Sequence, residues 1–231
     1  MTTPLSPTDR TTVRRGANRA VTGPSGRTAL HDLLADALVA HVGVNVGDHP
    51  VVLPVAFAVD LDGPDEGGSL YIHGSVAARW LNRSGATTVC VTVTELDGLV
   101  AARSGFHHSM NYRSAVVIGD ARLVTDPTEK ERALALTVDH MVPGRAATLR
   151  APTRKELAAT SVLAVPLVEA SMKQRDGGPV DEPEDVATGV WGGVIPVRRI
   201  ADAPVSADDS PVDVPADVAA RAAGLAVDLL G

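Results

Sequence analysis

The chain has 231 residues, a formal net charge of -7 and a hydrophobic share of 45%, with aromatic residues at only 3%. That length allows one sizeable core with appended tails, while the acidic balance and the scarcity of aromatic rings exclude a nucleic-acid groove and leave room for one local basic pocket. The single cysteine, Cys90, excludes a disulfide framework and a zinc site of paired cysteines, and no apolar run reaches the ~18 residues of a membrane helix, so a soluble, cytoplasmic protein is expected.

In chain order, residues 1–13 carry little to bury and predict a mobile leader, after which Arg14, Arg15 and Arg19 form a basic cluster. Thr28 is placed to cap a helix from Ala29 to Ala37, with Leu30, Leu33, Leu34 and Leu38 on one face. His41 to Val46 alternates as a strand, Gly47-Asp48 signals a hairpin, and Val51 to Val59 is a β-branched, apolar strand. Pro54 inside that run cannot donate to a ladder, so it marks an edge, a bulge or a strand whose outer side meets a ligand. The acidic, glycine-rich stretch Asp60 to Gly68 closes the next hairpin. Ser69 to Ile72 is a strand, followed by a short helix from Val76 to Ser84 that Gly85 stops. Val89 to Thr94 is a strand that buries Cys90 as a small hydrophobe. Leu96-Asp97-Gly98-Leu99 then turns the chain, and Val100 to Phe106 returns.

Tyr112 to Val124 continues as a strand with a bulge or bend at Gly119-Asp120. Asp126-Pro127-Thr128 opens the clearest helix, Glu129 to Met141, which Pro143-Gly144 ends. A further helix covers Thr153 to Ala159. Ser161 to Ala170, with a possible extension to Gln174, and Val190 to Ile200 read as strands on either side of the acidic loop Gly177 to Asp185. Residues 202–212 have linker composition, and Pro215 to Leu230 carries a weak helical pattern. Many short strands with few helices between them fit a small antiparallel barrel with helical additions, not a doubly wound sheet, and there is no Gly-x-Gly-x-x-Gly for a Rossmann site.

Two stretches concentrate the chemistry. Ser69-Leu-Tyr-Ile-His-Gly-Ser75 runs a strand toward a helix start, so His73, Gly74, Ser75 and Arg79 can bring backbone N–H groups, a hydroxyl and a guanidinium onto an anion. The bland alternative is an ordinary strand-to-helix turn with a surface arginine. Phe106 to Gly119 places His107, His108, Asn111, Arg113 and Ser114 at the entry of a strand that turns apolar from Ala115 to Ile118. A histidine pair on a loop is either an acid–base candidate or hydrogen-bonded structure. No Ser-His-Asp or Cys-His set has convincing spacing.

On His41-Val-Gly43, Pro50 to Pro54, Leu70-Tyr-Ile-His-Gly-Ser75 with Arg79, Val89 to Thr94, Phe106 to Gly119, Glu169-Ala-Ser-Met-Lys173 and Val190-Trp-Gly-Gly193, the chain resembles the pyridoxamine phosphate oxidase-like flavoproteins of the FMN-binding split-barrel fold, in particular the branch with nitroimidazole-resistance proteins. The resemblance implies a mainly β, antiparallel split barrel over 14–201, a linker and C-terminal helix over 202–231, an FMN cofactor, a small-molecule substrate and a homodimer with the cofactor between subunits. Carried over position by position, His73, Gly74, Ser75 and Arg79 fall at the flavin phosphate, and Val55 and Ala56 on the strand along the flavin. Arg113 and Ser114 fall where the family's strand hydrogen-bonds the flavin, with Asn111 and Tyr112 as neighbours. From the residues themselves, His107 and His108 are the catalytic acid–base candidates. Split barrels that resemble this one also bind haem, for which His73, His107 or His108 offers an axial ligand.

The chain also departs from the family. The authentic oxidases close with Arg-x-His, whereas here Trp191 is followed by Pro196-Val-Arg-Arg-Ile200, and the first phosphate segment has no lysine. The expectation is therefore a flavin-dependent oxidoreductase acting on a small organic substrate, not pyridoxamine phosphate oxidation, with a non-catalytic flavin-binding module as the alternative.

Overall fold

The computed structural model describes residues 4–11, 19–78, 80 and 87–226. In chain order it contains β1 (Ala20–Val21), α1 (Gly23–Asp36), β2 (Ala40–Val46), β3 (His49–Val55), β4 (Phe57–Asp60), β5 (Ser69–Ser75), β6 (Thr87–Ala101), β7 (Ser109–Leu123), α2 (Pro127–Met141), α3 (Arg154–Ala159), β8 (Thr160–Pro166), β9 (Ala170–Arg175), α4 (Pro183–Ala187), β10 (Gly193–Pro196) and α5 (Ala216–Ala226). They form two compact units, Met1–Val93 with Ala115–Met172, and Thr94–Ser114 with Lys173–Gly231.

The first unit is built on a sheet in the order β3-β2-β6-β7-β8-β5-β4. Antiparallel pairing sets Ala40 opposite Val55, Val42 opposite Val91 and Tyr71 opposite Ala164. The terminal strands β3 and β4 are not paired with each other, yet only Ala56 separates them along the chain. Two consecutive Cα steps span at most roughly 7–8 Å, so the sheet must curl until its ends nearly meet. The result is a split antiparallel barrel.

Inward-facing Val42, Val44, Val89, Val91, Val93, Ala115 and Val117 fill it and meet Leu30, Leu33 and Leu34 of α1. Each of those leucines is at most 1% exposed, a burial that stabilises by about 1.5–3 kcal/mol per side chain. Pro50 and Pro54 share one face of β3 with the exposed Val52. On a terminal strand they break no inner ladder, and they remove donors that could recruit a further strand, so the edge reading of Pro54 is the one realised.

Arg122 on β7 ties the loop before β5 to α2. Its guanidinium holds Asp65 through Nε (2.7 Å) and Nη2 (2.8 Å) and Glu129 through Nη1 (3.0 Å) and Nη2 (2.5 Å). The helix α2 follows the sequence closely, with the Asp126 carboxylate accepting from the Glu129 N–H at 2.7 Å. A capping box of Thr153 and Glu156 starts α3.

Several expectations are corrected in this unit. α1 begins at Gly23 with Thr22 as N-cap, because Pro24 suits a first helical turn, and the Thr28 hydroxyl bonds Pro24 O inside the helix. The strand expected over Val51 to Val59 breaks at Ala56, where the chain leaves one end of the sheet for the other. The leader is docked along residues 4–11: Leu5 is 1% exposed and pairs with Gly23, Thr8 and Arg10 bind Glu169, and the Ser171 hydroxyl donates to Thr11 O. One buried leucine and these bonds hold what composition alone left loose. Arg14 and Arg15 lie outside the described residues. The strand expected over Ser161 to Ala170 splits into β8 and β9, because the buried Arg27 binds the carbonyls of Leu167 (2.7 Å) and Val168 (3.2 Å) and draws the chain out of the ladder. β7 runs unbroken through Gly119, where the missing side chain admits Val165 and Pro166.

In the second unit, Asp97-Gly98 is not a turn. β6 runs straight through it, and Gly98 lies opposite Pro196 of β10. A Cβ on Gly98 would stand 3.0 Å from Val194 Cγ1 and 3.2 Å from Ile195 O, so the glycine serves close strand approach. The turn falls instead at residues 103–107. The last strand is only Gly193–Pro196, and α4 occupies part of the loop before it, started by Pro183.

Candidate functional site

The strand expected over Ser69 to Ile72 runs on through Ser75. β5 pairs with β8 through His73 opposite Val162, Gly74 opposite Ser161 and Ser75 opposite Thr160. Beyond it the Val76 N–H donates to Ala159 O (3.0 Å), the Ala77 N–H to Ser75 Oγ (3.1 Å) and the Ala78 N–H to Ser75 O (2.9 Å). Val76 and Ala77 form a turn, and Val76, Ala77, Ala78 and Trp80 are not helical, while the rest of the expected helix, Arg79 included, lies outside the described residues. The amides of Val76, Ala77 and Ala78, the ones beyond the strand end, are thus already bonded to Ala159 and Ser75. The exposed Ser75 hydroxyl accepts from the Ala77 N–H and keeps its own proton to donate to a ligand. Val55 ends β3 opposite Ala40, and Ala56 is the linker to β4; both are half-buried.

His73 stands apart from its neighbours. It is half-buried in β5, and its Nδ1 is buried with no hydrogen-bond partner. Desolvation pushes its pKa below the ordinary histidine value, so the ring is neutral at pH ~7. An unsatisfied buried nitrogen costs about 1–3 kcal/mol, and a neutral imidazole is also the form that ligates iron. The residue therefore fits a haem ligand on chemistry.

In the second unit, Asn111, Tyr112, Arg113 and Ser114 follow one another along β7. Asn111 is committed to the fold: its Nδ2 donates to Gly177 O (3.1 Å), and its Oδ1 accepts from the buried Arg175, which also holds the carbonyls of Gly177 (3.2 Å) and Gly178 (2.9 Å). Tyr112 is buried, whereas Arg113 and Ser114 are half-buried. The Arg113 fork grips Asp97 through Nη2–Oδ1 (3.0 Å) and Nε–Oδ2 (3.2 Å).

The turn carrying His107 and His108 is braced by Arg103, whose backbone N–H (2.9 Å) and Nη1 (2.8 Å) both reach Asp181. Burial works against that carboxylate, which is 1% exposed, but the bonds from Arg103 outweigh it and hold the carboxyl below its usual range. His107 packs edge-on against Phe106 at 5.1 Å, with Nε2 4.0 Å from Glu182 Oε1. His108 Nδ1 lies 2.8 Å from Ser104 O. A carbonyl can only accept, so Nδ1 carries the proton and the exposed ring presents the Nε2 lone pair. That arrangement suits a proton acceptor.

Sequence reading missed Asp97, Arg175 and Asp181. Asp97 carried a misleading signal, since Asp-Gly normally marks a turn, and the other two carried none.

Two cavities in the first unit, 660 Å³ beneath residues 4–10 beside Arg27 and Glu169, and 500 Å³ along Gly43, Asn45, Pro50, Thr88 and Cys90, contain none of the predicted site residues. Cys90 is half-buried there, not fully buried as expected, and desolvation raises its thiol pKa and keeps it protonated. Among the described residues no cluster of His, Cys, Asp and Glu is arranged to hold a metal ion, and no helix is long and apolar enough to cross a membrane.

The family model for pyridoxamine 5'-phosphate oxidase matches residues 26–174. The chain belongs to that family, with the split-barrel fold its motifs implied. Among solved structures it is similar to the flavocytochrome Anf3 from Azotobacter vinelandii, at 35% identity and a TM-score of 0.81 over 93% of this chain and 97% of that one. It is similar also to the FAD and heme binding protein from Mycobacterium smegmatis, at 37% identity and a TM-score of 0.78 over 87% of this chain and 96% of that one. A candidate 5-nitroimidazole antibiotic resistance protein from Bacteroides thetaiotaomicron shares the fold at 21% identity, with a TM-score of 0.50 over 63% of this chain and 82% of that one. Comparison with curated proteins gives no match.

Proposed function

We propose that this chain is a flavin-dependent oxidoreductase of the split-barrel type that also carries haem, with FAD in place of the FMN expected from the motifs. The observation that carries this reading is the likeness, above one-third identity across nearly the whole chain, to a flavocytochrome and to an FAD and heme binding protein. His73 supports it from the side of the residues, as a neutral, half-buried imidazole with an unsatisfied nitrogen. Bound flavin would exchange electrons in pairs and haem iron singly, which together join a small organic donor to a one-electron partner.

The protein's part is to hold and orient. Ser75 and Arg79 are assigned to the flavin phosphates, Arg113 and Ser114 to its ring, His73 to iron, and His107 or His108 to proton transfer at the substrate. A homodimer is part of the same proposal. The exposed apolar Val52 on β3, beside two prolines that block strand addition, supports a partner that covers the face of the hairpin and does not extend its edge.

The test is the visible spectrum of the protein reconstituted with flavin and hemin. Two flavin bands and a Soret band are expected, and His73→Ala should lose the Soret band and keep the flavin. Phosphodiesterase treatment of the flavin released from the protein as purified, before any reconstitution, should raise its fluorescence, as FAD cleaved to FMN does. Flavin without a Soret band returns the protein to the haem-free reading, and an unchanged phosphodiesterase trace returns it to FMN.

A further inference from the structure

The arginine assigned to the flavin ring already has a carboxylate on it. Arg113 of β7 and Asp97 of β6 meet in a two-point contact, and their side chains are 31% and 37% exposed, so the pair faces solvent where a ligand can reach it. An ion pair this open contributes little to stability, which leaves its presence in the fold otherwise unaccounted for. Asp97 is held in place independently, because its backbone carbonyl accepts the Val197 N–H at 3.0 Å.

We propose that Asp97 sets the electron affinity of the bound flavin by neutralising Arg113, an inference that rests on the flavin-binding reading above. Oxidised isoalloxazine is neutral; uptake of two electrons and one proton leaves an anion whose charge is spread over N1 and the C2 carbonyl. A lone guanidinium beside the ring favours that anion and raises the flavin potential. With Asp97 bonded to it, the net charge presented is zero, and the preference for the reduced form weakens. The two-point contact also fixes the plane of the guanidinium. The consequence is a flavin held at lower potential, suited to passing electrons on instead of retaining them.

The experiment is a reductive titration against a reference dye, read on the flavin visible band, of the FAD-reconstituted wild type, Asp97→Asn, Arg113→Gln and the double variant. Asp97→Asn keeps the side-chain size, removes the charge and leaves one acceptor oxygen for the guanidinium. It should shift the ratio of affinities for reduced over oxidised flavin about ten-fold toward the reduced form, a rise of about 30 mV for a two-electron couple. Arg113→Gln should lower the potential by leaving the Asp97 charge unbalanced, and the double variant, again without net charge, should return close to the wild-type value. An unchanged potential in flavin-loaded Asp97→Asn overturns the proposal and leaves the flavin-binding reading standing. Loss of flavin from Asp97→Asn overturns it too, because a residue that only tunes charge is not required for binding. A wild type that takes up no flavin overturns both, and shows this before any variant is made.

Discussion

Replacing Arg122 by Met should destabilise the first unit by about 2–3 kcal/mol. Arg122 makes four charge-assisted bonds to Asp65 and Glu129, and those carboxylates are further held by the Ser69 hydroxyl (2.6 Å) and the Tyr71 hydroxyl (3.0 Å). Asp65 and Glu129 are 10% and 15% exposed, and stripping the partner from buried charges costs about 3–5 kcal/mol. The Arg122 side chain is 36% exposed, so water screens part of that loss and the lower figure follows. For a chain of this length each kcal/mol moves Tm by about 2–4 °C, which gives a drop of about 4–12 °C by calorimetry.

The pH dependence gives a second signature. Burial pushes the Asp65 carboxyl up, but its bonds from Arg122 and Ser69 outweigh that and hold it below its ordinary value. With the folded value beneath the unfolded one, this contribution is present above about pH 4 and is lost as pH falls through the folded value. The gap between wild type and Arg122→Met should therefore narrow in acid. A neutral-pH Tm within about 1 °C of wild type, or a gap that ignores pH, would refute the reasoning.

Gly98→Val should force β10 away from β6, since even a Cβ would lie 3.0 Å from Val194 Cγ1; a cost of about 1–3 kcal/mol and faster hydrogen exchange across Gly193–Pro196 are expected, and unchanged exchange there counts against close approach as the role of the glycine. His31 and His73 both have pKa values lowered first by desolvation, His31 also by Arg27, so their folded values lie under the unfolded ones. Stability of the cofactor-free protein should be full above about pH 6.5 and fall as pH drops below it, less steeply in His73→Leu; identical Tm profiles between pH ~7 and ~5 would show that His73 does not contribute. Light scattering of the flavin-loaded protein should return twice the monomer mass, and a flavin-loaded monomer would rule out the dimer.

Short-range patterns in the sequence carried much of this fold. The leucine spacing of α1, the Asp126 cap of α2, the Gly47 turn between β2 and β3 and the family motifs could all be read because each is a relation between residues a few positions apart. Hydrophobic period and turn chemistry act at that range, and they also fixed the class of fold.

Only the tertiary structure decided where strands end and which charges are already spent. β5 continues through Ser75 because Thr160 lies opposite it, and the strand after β8 breaks because Arg27 takes the carbonyls of Leu167 and Val168. Asp97-Gly98 reads locally as a turn, yet the approach of β10 keeps it extended, and Asp97 then reaches Arg113 across two strands. The hydrogen-bonding partner of a backbone or a guanidinium is set by what the whole chain brings within about 3 Å, and no window along the sequence contains that information.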